Sequence, residues 1–182
     1  MQVTDTAIPD VKILEPRVFG DDRGHFMETW NRRTLAELGL DVDFVQDNES
    51  ASVRGVLRGL HYQIRQPQGK LVRAVLGEVM DVAVDLRRSS PHFARWAAVR
   101  LSDRNRRQLW VPPGFAHAFY VLSERAVFAY KCTDYYLPEA ERTIRWDDPE
   151  LAIDWPLQEG GGPTLSSKDA AGVSLGDAEC YP

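Results

Sequence analysis

The stretch GVLRGLHYQ, residues 55–63, places an arginine and a histidine among glycines and apolar residues. Histidine is the side chain whose charge changes near neutral pH, so His61 is a candidate for proton transfer. The guanidinium of Arg58 matches the geometry of phosphate oxygens. A hydrogen-bonded interior histidine and a surface arginine would explain the same residues, and this segment alone does not decide between the two interpretations.

Positive charge is concentrated around this segment, although the chain as a whole is acidic. The formal net charge of −5 argues against a general affinity for nucleic acid. Residues 51–73, in contrast, contain five cations and no Asp or Glu: Arg54, Arg58, Arg65, Lys70 and Arg73. The cluster predicts a positive pocket for a small anion such as a diphosphate, with a solvated basic loop as the alternative.

Short strand patterns dominate the elements that must position these residues. Segments rich in Val, Phe, Tyr and Trp alternate with Gly, Pro, Ser and Asp clusters, which is typical of an all-β sandwich or jelly roll. The predicted strand segments are VKILEPRVF, KLVRAVLGEVMDVAVDL, RWAAVRL, RRQLWVP, FAHAFYVL and AVFAYKCTDYY. One short helix is predicted in RRTLAELGL, capped by Asn31, with Leu35 and Leu38 buried and Gly39 at its end.

Alternation along two segments predicts which polar side chains face the interior. His117 shares a strand face with Phe119, and Tyr130 shares one with Phe128. A buried His or Tyr needs a hydrogen-bonding partner, and a ligand inside a small β-sandwich can supply one.

Length and composition predict one soluble domain. The 182 residues fit a single domain, with a core over about residues 8–157 and a C-terminal tail over 158–182. Within the tail, the glycine-rich segment 158–167 is expected to be flexible. The only cysteines, Cys132 and Cys180, indicate reduced cytoplasmic thiols. We find no signal-peptide pattern and no apolar run of the roughly 18 residues that a membrane span needs, so a cytoplasmic protein is expected.

An ordered set of motifs gives the chain a family resemblance. GVLRGLHYQ and PPGFAH occur together with FGDDRGHFMETW, FVQDNES, QGKLVRAVLGEVMDVAVDLR, YKCTDYY and LSSKD. From about residue 8 to residue 169 the chain closely resembles the dTDP-4-dehydrorhamnose 3,5-epimerase family, with the motifs in the family's order. The resemblance implies a cupin-like double-stranded β-helix, or jelly roll, with a few short helices. It also implies a homodimer and an enzyme that uses no cofactor.

The resemblance further implies a reaction and the residues that perform it. The family inverts C3 and C5 of dTDP-4-dehydro-6-deoxy-D-glucose to give dTDP-4-dehydro-L-rhamnose. Both carbons flank the C4 ketone, so a base can remove each proton to form an enolate and an acid can return one to the opposite face. His61 matches the base, Asp169 the carboxylate paired with it, and Tyr130 the acid. Lys70 matches a cation near the C4 oxygen, and Asp81 matches a further active-site carboxylate.

The family's substrate-binding residues also have counterparts. Arg23 and Arg58 suit the diphosphate, since a guanidinium fork fits phosphate oxygens. Gln46 and Asn48 offer the donors and acceptors that a thymine edge requires, and Tyr136 matches an aromatic that stacks on the base. The set that the resemblance places around the nucleotide sugar is Arg23, Glu28, Gln46, Asp47, Asn48, Arg58, Lys70, His117, Tyr136, Glu141 and Lys168.

The spacing of the two opening residues creates a geometric difficulty. Arg58 and His61 are three residues apart, and a regular strand would place them on opposite faces. We therefore hypothesise that Gly59 lets the strand bulge, which would turn both side chains toward one pocket.

Three alternatives remain open at this point. Relatives that act only at C3 or only at C5 share the base and the acid. A metal-dependent cupin enzyme is suggested by P-x-G-x-x-H over residues 112–117, but Gln63 and Lys70 stand where metal ligands would be expected, so we predict no metal site. A non-catalytic sugar-binding jelly roll would not need the set of His61, Tyr130 and Asp169.

Overall fold

The computed structural model describes residues 1–182, and most of its regular structure is β-strand. The strands are β1 (Gln2–Asp5), β2 (Lys12–Glu15), β3 (Val18–Asp21), β4 (Gly24–Met27), β5 (Gln46–Val53), β6 (Leu57–Gln63), β7 (Lys70–Leu76), β8 (Glu78–Asp85), β9 (Trp96–Ser102), β10 (Gln108–Val111), β11 (Phe115–Val121), β12 (Arg125–Cys132) and β13 (Glu141–Thr143). The α-helices are α1 (Arg32–Glu37) and α2 (Ser167–Ala170). None of the helices has the length and hydrophobicity to cross a membrane.

Two antiparallel sheets face each other across the main core. One has the strand order β1-β2-β10-β7-β12-β5, and the other has the order β13-β6-β11-β8-β9. The buried cluster between them includes Val72 and Phe128 from the first sheet and Val99 and Phe119 from the second. Strands β3 and β4 form a separate hairpin. The architecture is the predicted all-β jelly roll.

A β-bulge in β6 turns Arg58 and His61 to the same side of the sheet. His61 pairs with His117 of β11, whereas Arg58 pairs with Phe119, so three steps along β6 correspond to two along β11. Gly59 lies within this irregularity with a φ of +127°, and a side chain there would collide with β11. The extra residue in β6 offsets the alternation of side chains between the two faces of the strand, so Arg58 and His61 lie on the same face although they are three residues apart. The bulge hypothesised at Gly59 is therefore confirmed.

The C-terminal segment covers the outer face of the second sheet and is tied to both ends of β6. Near the start of β6, the backbone N–H of Thr164 donates to the carbonyl of Gly55 at 2.8 Å. At the other end, the Tyr181 hydroxyl donates to the carbonyl of Gln63 at 2.6 Å. The segment expected to be flexible is thus anchored to the sheet at Thr164.

Helix α1 follows the prediction except at its last apolar residue. The side chain of Asn31 caps the helix by accepting from the backbone N–H of Thr34 at 3.3 Å. Leu35 is buried, and Gly39 has the positive φ of +85° that is common just after a helix. The prediction that Leu38 is buried was wrong: the helix ends at Glu37, and Leu38 is 39% exposed.

Several strand predictions also differ from the structure. KLVRAVLGEVMDVAVDL was predicted as one segment but forms β7 and β8, which are separated at Gly77, and β1, β4 and β13 lie outside the predicted segments. VKILEPRVF was predicted as one strand but forms β2 and β3, which are separated at Pro16, a residue that cannot donate to a ladder. Strand β5 was not predicted because its sequence, QDNESASV, is polar. Strand β5 lies at the edge of its sheet beside β12. Its polar sequence fits this position, because one face of the strand meets solvent and the other lines a cavity between the sheets.

Candidate active site

A cavity of about 370 Å³ opens between the two sheets and is lined by residues from both. Four of the five predicted catalytic residues line it, namely His61, Lys70, Tyr130 and Asp169. Besides Lys70, seven predicted binding residues line it as well: Gln46, Asn48, Arg58, His117, Tyr136, Glu141 and Lys168. Residues far apart in the sequence therefore meet in one site.

His61 and Asp169 form a close pair at the wall of this cavity. The Nε2 atom of His61 lies 2.6 Å from Oδ1 of Asp169, although the N–H does not point straight at the oxygen. Asp169 is 3% exposed, whereas the imidazole retains 22% exposure. The backbone N–H of Gly59 also donates to Oδ1, at 3.2 Å. The bulge thus supplies a donor that fixes the carboxylate as well as the turn that orients His61.

The surroundings of this pair favour a neutral imidazole beside an ionised carboxylate. Burial lowers the pKa of His61, and this effect outweighs the opposing contribution of Asp169. Burial alone would raise the pKa of Asp169, but hydrogen bonds from His61 and Ser166 hold it well below its usual range. A neutral imidazole at neutral pH can accept a proton, and the adjacent carboxylate stabilises the imidazolium that forms.

Asp81 does not line the cavity but contacts a residue that does. Both of its carboxylate oxygens lie 2.9 Å from Nε2 of His117. Asp81 is fully buried, and burial raises its pKa despite the opposing effects of His117 and Lys70. His117 stacks on Phe128 at a centroid distance of 6.1 Å. The structure therefore places Asp81 behind His117 rather than against a ligand.

Lys70 and Tyr130 supply a cation and a phenol to the same cavity. Burial lowers the pKa of the Lys70 ammonium, against the influence of Cys132 and Asp81. Burial raises the pKa of Tyr130, so the phenol remains protonated at neutral pH. As alternation predicted, Tyr130 packs against the main core with its hydroxyl-bearing ring at the cavity. The pair can stabilise a developing oxyanion and donate a proton.

Polar side chains at the mouth hold one another in place. Glu141 accepts from the Tyr136 hydroxyl at 2.8 Å and from Nζ of Lys168 at 2.7 Å. Gln46 donates to Oδ1 of Asn48 at 3.0 Å and accepts from the backbone N–H of Tyr136 at 2.9 Å. These bonds orient the residues before any ligand arrives.

Three predicted binding residues do not line the cavity. Arg23 lies on the β3–β4 hairpin, where its side chain is 90% exposed and bonds to Asp21. Glu28 accepts from the Asn31 amide at 2.9 Å. Asp47 points to the opposite face of β5 from its neighbours, because side chains alternate along a strand, and is exposed.

The basic cluster is only partly a feature of the cavity. Of its five cations, Arg58 and Lys70 line the cavity, whereas Arg54, Arg65 and Arg73 do not. Arg73 follows Lys70 by three positions on a regular strand and so faces the other way. The predicted anion pocket is therefore built from fewer cations than the run of charge indicated.

Sequence reasoning missed several residues that line the cavity. They are Ser50, Gln68, Phe119, Phe128 and Ser166. The hydroxyl of Ser50 is buried and has no hydrogen-bonding partner within the protein, so it is available to a ligand. Its position could have been found from the i, i+2, i+4 spacing of Gln46, Asn48 and Ser50. No three His, Cys, Asp or Glu side chains converge to form a possible metal site.

Comparison with known proteins identifies the family of the chain. The sequence profile of the dTDP-4-dehydrorhamnose 3,5-epimerase family matches residues 5–177. The chain belongs to this family. A dTDP-4-dehydrorhamnose 3,5-epimerase from Pseudomonas aeruginosa is 63% identical and aligns over 100% of both chains. An epimerase of the same name from Shigella flexneri is 54% identical over 100% of this chain and 99% of its own.

Solved structures of epimerases share the fold. The dTDP-6-deoxy-D-glucose-3,5-epimerase of Legionella pneumophila, in complex with dTDP-4-keto-L-rhamnose, superposes with a TM-score of 0.94 at 55% identity, covering 98% of this chain and 94% of that chain. A 3'-monoepimerase from Streptomyces bikiniensis, in complex with dTDP-quinovose, gives a TM-score of 0.87 at 32% identity, covering 94% and 87%. The cupin-like jelly roll predicted for this epimerase family is thus confirmed. The same fold occurs in a relative named as a 3,5-epimerase and in one named as a 3'-monoepimerase.

Proposed function

We propose that this chain inverts C3 and C5 of dTDP-4-dehydro-6-deoxy-D-glucose to give dTDP-4-dehydro-L-rhamnose, as part of dTDP-rhamnose biosynthesis. The observation that carries the proposal is one cavity lined by a His–Asp pair, a half-buried lysine and a tyrosine. Relatives named for this reaction align along the whole chain, and the Legionella pneumophila structure holds dTDP-4-keto-L-rhamnose. A dTDP-sugar is therefore the substrate class that this site fits.

The first step is removal of a proton from a carbon next to the C4 ketone. Nε2 of His61 faces the Asp169 carboxylate, so Nδ1 is the nitrogen that takes the proton. The electron pair of the broken C–H bond moves into the enolate, whose charge lies on the C4 oxygen. Asp169 stabilises the imidazolium, and Lys70 stabilises the oxyanion inside a site of low dielectric.

The second step returns a proton to the opposite face of the ring. Tyr130 donates its phenolic proton to the enolate carbon, the new C–H bond takes the electron pair, and the ketone re-forms. Exchange with water then restores the phenol and the neutral imidazole. Repetition at the second carbon completes the reaction, and neither step requires an oxidant or a reductant.

The nucleotide is held by the residues at the mouth of the cavity. Arg58 donates through Nε to Ser52 at 3.1 Å, which leaves its terminal nitrogens for the diphosphate. Gln46 and Asn48 present amides suited to the thymine edge, and Tyr136 offers an aromatic face for the base. Glu141 and Lys168 complete the proposed binding set on this side of the cavity.

Replacing Arg58 by Lys is expected to weaken the binding of dTDP by on the order of tenfold or more, because an ammonium cannot reproduce two parallel hydrogen bonds to phosphate. Isothermal calorimetry on the folded variant measures this effect. Arg54→Lys is the matched control, since Arg54 belongs to the same basic run but does not line the cavity. An unchanged dissociation constant for Arg58→Lys would remove Arg58 from the phosphate site.

The assembly we propose is a homodimer in the cytoplasm. The β3–β4 hairpin leaves Phe19 at 50% and Phe26 at 70% exposure, and large exposed apolar side chains of this kind are typical of interfaces. In the dimer the hairpin packs on the second copy, where Arg23 and Glu28 reach the nucleotide. Both cysteines are free thiols, which suits a reducing compartment, and the acidic chain gives no reason to expect a nucleic-acid or membrane partner.

Proton NMR of the enzyme with dTDP-4-dehydro-6-deoxy-D-glucose in heavy water tests the function directly. Each carbon that is deprotonated exchanges its hydrogen for deuterium, so the number of exchanging ring positions equals the number of carbons attacked. We expect exchange at both C3 and C5. Exchange at one position only would favour a C3-only or C5-only epimerase, and no exchange at either would overturn the proposal.

Prolonged dialysis against a chelator is expected to leave turnover unchanged, because the proposed steps use only side chains of the protein. Activity after dialysis is compared with that of untreated enzyme and of enzyme supplied with divalent cations. Loss of activity that one divalent ion restores would instead favour the metal-dependent cupin enzyme.

A further inference from the structure

The carboxylate of Asp169 is bonded through both oxygens, and only one of them faces His61. Oδ1 lies against the imidazole and accepts from the backbone N–H of Gly59. Oδ2 accepts from the hydroxyl of Ser166 at 2.6 Å. That hydroxyl in turn accepts from the backbone N–H of Asp169 at 3.2 Å, which fixes the direction of its own proton. The orientation of the carboxylate is therefore set from two sides.

We propose that Ser166 is a positioning residue for proton abstraction, holding the Asp169 carboxylate in the orientation that keeps His61 ready to act as a base. The proposal rests on the proposed epimerase function and extends it to a residue that neither the family resemblance nor the pairing of His61 with Asp169 requires. Without the hydroxyl, Oδ2 would lose its only protein donor. The carboxylate would then be held beside the imidazole by the Gly59 N–H alone, and its orientation would be less well defined.

The hydroxyl also affects how strongly the pair holds a proton. A hydrogen bond donated to a carboxylate stabilises its charged form and weakens it as a base. Ser166 contributes in this sense to the lowered pKa of Asp169. Its removal should make the carboxylate a stronger acceptor for the His61 imidazolium. The pKa of His61 should then rise, and the acid limb of the activity profile should move to higher pH.

Other charges near the pair must stay constant for this effect to be measured. Lys168 on α2 and Lys70 on β7 oppose protonation of His61, whereas Asp169 itself favours it. Glu141 on β13 lies close enough to feel the charge of His61. Neither of the two lysines nor Glu141 bonds to the Ser166 hydroxyl, so a substitution at Ser166 leaves their direct contacts in place.

A purely structural role for Ser166 is the competing explanation, since its side chain caps α2. Glycine at an N-cap costs only a few tenths of a kcal/mol relative to serine. Ser166→Gly therefore removes the hydroxyl with little loss of capping, and Ser166→Thr retains a hydroxyl. Ser167→Ala is the matched control, because Ser167 is exposed and its side chain forms no hydrogen bond within the protein.

The test measures kcat and KM against pH for the parent and the three variants, and follows the His61 imidazole titration by NMR in the absence of substrate. For Ser166→Gly we expect kcat to fall on the order of 10- to 100-fold with KM nearly unchanged, and the acid limb to shift upward. Ser166→Thr should recover most of the parent's rate, and Ser167→Ala should match the parent.

Two results would overturn the inference. If Ser166→Gly keeps the parent's kcat and the parent's His61 titration, the serine only caps the helix. If its KM rises while kcat and the titration stay constant, the serine contacts substrate instead. A parent that exchanges no ring hydrogens would refute the proposed function, but the imidazole titration would still decide the link from Ser166 to His61. Should Ser166→Gly fail to fold, Ser166→Cys provides the comparison, because a thiol is close in size to the hydroxyl but is only a weak hydrogen-bond donor.

Discussion

His61→Asn is expected to abolish both deuterium exchange and epimerisation, with a loss on the order of 10⁴-fold. The amide of Asn has no basic nitrogen, and no other group proposed for the site is a base near neutral pH. Asp169 cannot take over this role, because its low pKa makes it a weak base and its oxygens are already engaged. Proton NMR in heavy water records both processes in one experiment.

His92→Asn is a suitable control, since His92 lies away from the cavity and its ring makes no hydrogen bond within the protein. It should retain the parent's rates. Both His61→Asn and its control should bind dTDP like the parent, because the nucleotide contacts lie elsewhere in the site. Residual exchange at a rate near that of the parent would show that another group removes the proton.

Tyr130→Phe is expected to separate exchange from inversion. With the acid gone, His61 can still remove a proton and, after exchange with water, return a deuteron to the same face, which leaves the configuration unchanged. Deuterium should therefore enter next to the ketone faster than epimerised product forms. Epimerisation should fall on the order of 10² to 10⁴-fold, the usual contribution of a positioned acid.

Two other outcomes for Tyr130→Phe would each contradict this assignment. Equal loss of exchange and inversion would mean that the phenol is needed for abstraction, for example by bonding the enolate oxygen. Epimerisation at the parent's rate would make Tyr130 a residue of the core, where it packs beside Phe128. Tyr135→Phe is the matched control, because Tyr135 is 64% exposed and does not line the cavity.

Much of the site follows from local patterns that the sequence displays. Strand alternation correctly predicts that His117 and Tyr130 face the interior, since each lies in a regular strand with apolar residues two positions away. The same rule explains why Asp47, between two residues that line the cavity, points to solvent. Periodicity is reliable wherever the strand is regular.

The remaining features depend on contacts that no local pattern encodes. The bulge at Gly59 was only a hypothesis until the pairing with β11 fixed it, because a glycine in a strand is compatible with several conformations. Asp169 lies in a polar tail segment whose sequence gives no sign of burial. Ser166 is followed by a second serine, Ser167, and only the fold shows which of the two bonds to the Asp169 carboxylate. Arg23 differs from the prediction because the β3–β4 hairpin leaves its side chain exposed and paired with Asp21, away from the cavity.

The long sequence separation within the His61–Asp169 pair has a consequence for the order in which the site is completed. Gly59 lies on the strand that carries His61, and its backbone N–H donates to the Asp169 carboxylate. Gly59 precedes Asp169 by 110 positions. Because a chain is synthesised from its N-terminus, every strand exists before the carboxylate does. A chain that stopped before Ser166 would still contain all thirteen strands, but its imidazole would have no carboxylate partner. Catalytic competence is thus acquired only after all the strands have been synthesised, which makes activity a sensitive report on whether the segment around Asp169 has reached its place.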